Sequence, residues 1–263
     1  MATLPGSSFV LPPVDAERAE RRFFLVMAIA MSATIVAGFS LNLAMGRSTF
    51  AVPFAYHAHA AVFMGWLALF VAQSATIATG RRALHIRLGK IAYVWIPLMV
   101  AMGVTIMIVV ARRTGGPFFF SVNEFLISNI VGLLCFGGLA LWSLRTRRHN
   151  GWHRRLMLCA MTILVGPGLG RLLPMPLLIP HAWTISFIAT LVFPAIAMGR
   201  DARRRGHVHP AYWWGMGIVV ASFAGSMLLA YTPAGIAITE AVVAGTPGAE
   251  RPMEAFLPPG FAL

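Results

Sequence analysis

The chain has 263 residues, 58% of them hydrophobic and only 11% charged, with a mean hydropathy of +0.76. Ordinary soluble domains carry about a quarter charged residues, so a soluble enzyme or binding module is excluded. The formal net charge of +13 would suit a polyanion, but the basic residues stand at the ends of long apolar runs, where membrane proteins place them. The implied partner is therefore the lipid bilayer and not nucleic acid.

In chain order, residues 1–22 read as a cytoplasmic N-terminal segment. Met1 to Asp15 has no positive stretch leading into a short apolar run, so it is not expected to be a cleaved signal peptide. Seven apolar spans follow, at about 23–45, 54–79, 91–111, 123–144, 156–174, 181–198 and 211–231. Each has roughly the 20 residues needed to cross the ~30 Å hydrocarbon core. Backbone polar groups in lipid must be satisfied within their own segment, so the expected fold is all-α. It is a polytopic bundle of seven transmembrane helices over residues 23–231. Pro53 and Pro210 suit helix starts, whereas Pro97, Pro167 and Pro194 should kink the spans that contain them. Gly166-Pro-Gly-Leu-Gly170 reads as kinking and close helix packing. Cys135 and Cys159 fall inside spans and read as small packing residues, with no disulfide and no Cys-x-x-Cys motif. The methionines read as core filler.

Residues 232–263 form an irregular tail with Ile236 to Val243 as a short interfacial helix, a candidate contact for a membrane protein partner. Counting Lys and Arg by side places sixteen with the N-terminus and the 80–90, 145–155 and 199–209 loops. Four (Arg47, Arg112, Arg113 and Arg251) fall on the other side. This asymmetry predicts a cytoplasmic N-terminus and an exported C-terminus in a bacterial inner membrane. The only lysine is Lys90, so the seventh span cannot form a retinal Schiff base.

Two groups of residues could carry chemistry. The cytoplasmic loops hold His85, His149, His153, Asp201, His207 and His209, and imidazole with carboxylate is a usual donor set for transition metals. Asn150-Gly151 argues for a turn between His149 and His153, and the surviving metal candidates are His85, His153, Asp201 and His209. The other group lies toward the exported side. His59, Trp66 and Gln73 share one helical stripe, while His57 points away from it. Arg171 reaches a similar depth from the opposite direction, and a span arginine normally faces the interior with a partner. Glu124 is the natural partner, and His181 starts the next span. These residues (His59, Gln73, Glu124, Arg171 and His181) are candidates for binding a cofactor, a quinone headgroup or another small ligand.

Leu84-His85-Ile-Arg87-Leu88 and Trp152-His153-Arg-Arg155-Leu156 echo one another, as a repeated helical hairpin would. The run His59…Gln73…Arg81-Arg82…His85-x-Arg87-Leu-Gly89 resembles a group of uncharacterised bacterial membrane proteins defined by a domain of unknown function. His153-Arg-Arg-Leu-Met157 with Arg171 is similar to a second block of that group, and Asp201-x-Arg-x-Arg205…His209-Pro210 to a third. The resemblance covers roughly residues 55–215. It implies no activity, but it singles out His59, Gln73, His85, His153, Arg171, Asp201 and His209.

Three functions remain open. The leading expectation is haem b or transition-metal binding through helix-end histidines, for membrane electron transfer or as an accessory subunit. His85 with His153 is the inner ligand pair and His59 with His181 the outer one. The second is a transporter, channel or sensor with a polar path through His59, Gln73, Arg171 and Glu124. The third is a non-catalytic scaffold subunit.

Overall fold

The computed structural model describes residues 14–261, so the N-terminal segment is described only from residue 14 onward. Seven stretches are long and apolar enough to cross a membrane. They are α1 (Val14–Ala44), α2 (Phe54–Ala78), α4 (Ala92–Thr114), α5 (Asn129–Arg145) together with the turn from Glu124, α6 (Asn150–Leu172), the pair α7 (Ala182–Thr190) and α8 (Val192–Arg205), and α9 (Pro210–Ala230). A wide π turn at Glu124–Ser128 leads into α5. Two short α-helices, α3 (Arg82–Gly89) between α2 and α4 and α10 (Pro233–Val243) after α9, and two 3-10 turns at Met175–Leu178 and Pro247–Glu250 complete the described residues.

Local chemistry sets the boundaries. Pro210 occupies the first turn of α9, where a missing N–H costs nothing, and the His209 ring accepts from the Ala211 amide at 3.1 Å as its cap. Gly206 ends α8 in the left-handed conformation, φ +73°, which glycine adopts without a side-chain clash. Pro194 has no amide to offer Thr190, four residues earlier, and α7 stops at Thr190. The expected kink is thus a break. Pro97 and Pro167 lie within unbroken helices.

α6 is the central element. It packs on α1, α5, α7, α8 and α9, while α2 and α4 close the side between α1 and α5. Phe136, Leu156, Met161, Ile96 and Met99 are fully buried around it, and the Trp66 indole N–H points to the Met161 sulfur at 3.1 Å. Cys159 is buried and reduced in this core, and Cys135 is half-buried. The outer faces present Val26, Leu134, Ile188, Trp213, Trp214 and Leu228, an apolar coat suited to lipid. α1, α6 and α8 run several residues past the apolar limits into the basic segments, because arginine and alanine are good helix formers.

Residues 232–261 are not a loose appendage. Thr232 caps α10 by accepting from the Gly235 amide, and α10 packs on α4 and α9. The Arg251 guanidinium then donates to the carbonyls of Gly115, Gly116, Pro117 and Phe120 at 2.8–3.2 Å. The Val122 amide binds the Met253 carbonyl, and Phe256 binds Phe118. The expected irregular tail is a lid on one end of the bundle. Its polar groups find partners on the α4–α5 connection.

Candidate functional site

At the basic end of the bundle, two histidines from separate loops meet. His85 is on α3, a helix the sequence reading treated as loop, and His153 is on the first turn of α6. Their ring centroids are 6.2 Å apart at an interplanar angle of 78°. His85 Nδ1 donates to the Gln73 carbonyl at 3.2 Å. His153 Nδ1 donates to the Ser143 carbonyl at 2.9 Å, while the Ser143 hydroxyl donates to the His153 carbonyl. A carbonyl can only accept, so each Nδ1 carries the proton and each Nε2 keeps its lone pair. This main-chain anchoring is how metal-ligating histidines are oriented. Burial holds the His85 imidazolium below its usual pKa, with Arg82 acting in the same direction, so the ring is neutral at physiological pH.

Asp201 and His209 do not join this pair. Asp201, on α8, is 1% exposed and is gripped in two places by Arg155, itself 0% exposed, at 2.8 Å from Nε and 2.7 Å from Nη2. Both carboxylate oxygens are thereby committed to a charged fork with Arg155. Glu20, on α1, accepts from Arg154, Arg155 and Arg205 at 2.6–2.9 Å. The Arg155 guanidinium also lies over the Phe24 and Tyr212 rings. His209 spends Nδ1 on capping α9, its Nε2 edge abuts Gly151, and Trp152 packs edge-on against its ring. Burial, then Arg155 and Arg205, depress its pKa to about 4. Among the described residues, no three His, Cys, Asp or Glu side chains converge as a metal cluster. His149 and His207 are exposed.

The outer candidates come together only in part. Arg171 is the penultimate residue of α6, far from its basic end. Its guanidinium stacks over Phe39 at 3.9 Å and donates to the Pro167 carbonyl at 2.7 Å. Glu124 is not its partner. That carboxylate accepts from the Tyr231 hydroxyl at 2.6 Å, because the π turn aims it at the end of α9. His59 lies near Arg171 and stacks on Phe63. His59 Nδ1, Gln73 Oε1 and Arg171 Nε are buried without hydrogen-bond partners. His181 is exposed at the start of α7.

Reading residue types alone missed Glu20 and Ser143. Glu20 sits among Arg18, Arg21 and Arg22 and resembles a solvated helix face. The available signal was an acid at a span end facing three arginine-rich loops. The three sequence blocks do converge: His85 meets His153, Arg155 grips Asp201, and His209 backs onto Gly151. Comparison with family models, with curated proteins and with solved structures gives no match.

Proposed function

We propose that the chain is a multi-pass protein of the bacterial cytoplasmic membrane that holds a transition metal or haem b iron through His85 and His153. It would serve membrane electron transfer, directly or as an accessory subunit. The observation that carries this reading is the pair of neutral-type imidazoles, each fixed by a main-chain carbonyl, with centroids 6.2 Å apart. Two imidazoles bound to one ion at ~2 Å per bond have centroids roughly 5–6 Å apart, so one ion can take both Nε2 lone pairs after a small adjustment. Water, a substrate or a partner protein would fill the remaining positions. The sixteen-to-four distribution of basic residues favours a cytoplasmic location for this end.

The test is a visible spectrum and metal analysis of the purified protein. One haem or one metal ion per chain is expected in the wild type, with loss in His85→Ala and in His153→Ala. A colourless wild-type protein without stoichiometric metal overturns the reading.

A second reading, transport or sensing along a polar path, is favoured by the buried unpartnered atoms of His59, Gln73 and Arg171. Glu124, bound to Tyr231, is not part of that path. Arg171→Leu should abolish ion flux in proteoliposomes while leaving the melting temperature nearly unchanged. If flux persists in the variant, this path is excluded.

A further inference from the structure

The outer face of the bundle is not uniformly smooth. Between α4 and α5 it is cut by a groove of about 380 Å³, lined by Ile96, Pro97, Val100, Leu134, Gly138 and Leu141 among others. The lining is apolar. Two features of the sequence create the groove. Gly137 and Gly138 remove side chains from the facing stretch of α5, and Pro97 on α4 offers only a small ring. Gly137 allows the helices to approach, since a Cβ there would come within 2.9 Å of Val100 Cγ2, whereas a Cβ at Gly138 would meet nothing within 4 Å. Gly138 is therefore the open floor of the groove.

Polar groups stand beyond the Ile96–Leu141 end of the groove. Tyr93 is one helical turn before Ile96 and Pro97, on the same face of α4. Its hydroxyl accepts from Arg147 Nη1 at 2.7 Å, which bridges the basic ends of α4 and α5. Arg147 Nη1 also reaches the Leu144 carbonyl, and no carboxylate pairs with this guanidinium among the described residues. Lys90 stands three residues before Tyr93, exposed at the same end. An apolar groove on the outer face thus has two exposed cations and a phenol within two helical turns of its Ile96–Leu141 end.

We propose that this groove is a binding site for an anionic phospholipid. One acyl chain lies along Pro97, Leu134 and Gly138, and the phosphate is held by Arg147 and Lys90. Charge selects the occupant: a zwitterionic lipid would fill the groove but bring a cationic headgroup group toward the arginine, whereas phosphatidylglycerol brings a net negative charge. Basic pockets between helices on the cytoplasmic side recognise lipids in this way.

The full-length protein, exchanged into detergent, is titrated with phosphatidylglycerol and separately with phosphatidylcholine, with bound lipid read by native mass spectrometry and thermal stability in parallel. One phosphatidylglycerol per chain is expected, bound in preference to phosphatidylcholine. Arg147→Gln should weaken phosphatidylglycerol binding about fivefold, since each basic residue near the surface contributes ~1 kcal/mol, and should shrink the headgroup preference by about the same factor. Gly138→Leu, whose Cβ meets nothing within 4 Å, places a side chain on the floor and should remove the bound lipid of either kind. Equal binding of the two lipids by the wild type overturns the proposal. So does wild-type binding and preference in Arg147→Gln, which also decides the matter if Gly138→Leu fails to fold.

Discussion

Arg155 and Asp201 show how much one buried pair can depend on its partner. Both are essentially out of solvent and joined by two charged hydrogen bonds. Removing Asp201 leaves Arg155 only Glu20, and removing Arg155 leaves Asp201 only the looser Arg205 contact at 3.8 Å, so each loss costs up to about 3–5 kcal/mol. Asp201→Asn and Arg155→Met should each lower the melting temperature strongly, and the double substitution Arg155→Met with Asp201→Leu should lower it less than either. Additive losses in a thermal melt would contradict that coupling. His209 gives a pH signature. Its pKa in the folded protein is about 4, below the ~6.5 of an unfolded chain, so the neutral ring contributes stability that is present above pH 6.5. That contribution is lost as pH falls toward 4, because the unfolded state takes up the proton first. In His209→Asn the amide oxygen can still cap α9, and melting temperatures across this range should flatten. An unchanged pH slope would assign the effect elsewhere. Sequence alone could list His85, His153 and Asp201 as donors. It could not say that Asp201 is consumed by an arginine, because a carboxylate suits a metal or a guanidinium equally and many arginines were in reach.

At the scale of elements, the crossing of α1 and α6 depends on two glycines. A Cβ on Gly38 would fall 2.2 Å from the Gly168 carbonyl oxygen, and one on Gly168 would fall 2.6 Å from Ile35 Cα. Both obstacles are backbone, so no side chain can yield. Gly168→Leu should force the helices apart and reduce folded yield in detergent, while Gly199→Ala, with open space around it, should not. Equal yields would mean that the crossing can slide. The tail is a second case. Arg251 alone supplies four hydrogen bonds from the lid to the α4–α5 connection, so Arg251→Ala should make residues 245–261 more sensitive to limited proteolysis. Protection equal to the wild type would show that α10 holds the lid unaided. The GPGLG run was legible as a packing site, and the Pro194 break as a kink. The lid was not, because its hydrogen bonds go to carbonyls more than a hundred residues away, and no local pattern records those.

For the whole molecule, the alternation of seven spans puts α3, the α5–α6 turn and the α8–α9 turn at the same end as the start of α1. The Glu20 network confirms that shared end directly. The positive-inside asymmetry predicts that this shared end is cytoplasmic. Cysteines introduced at Arg148 and at Thr246, in a background without Cys135 and Cys159, should be labelled by an impermeant maleimide only at 246 in intact cells; labelling at 148 instead would reverse the topology. Seven spans, their limits to within a few residues at most ends and the end that gathers the basic residues are legible from hydropathy and charge alone. Hydropathy and charge act locally along the chain and are set by the bilayer. Only the tertiary structure decided which polar groups meet: His85 with His153, Arg155 with Asp201 and Glu20, Glu124 with Tyr231 and not Arg171. Those pairings depend on helix rotation and on the close approach of α1 to α6, which arise from packing between distant segments and leave no period in the sequence.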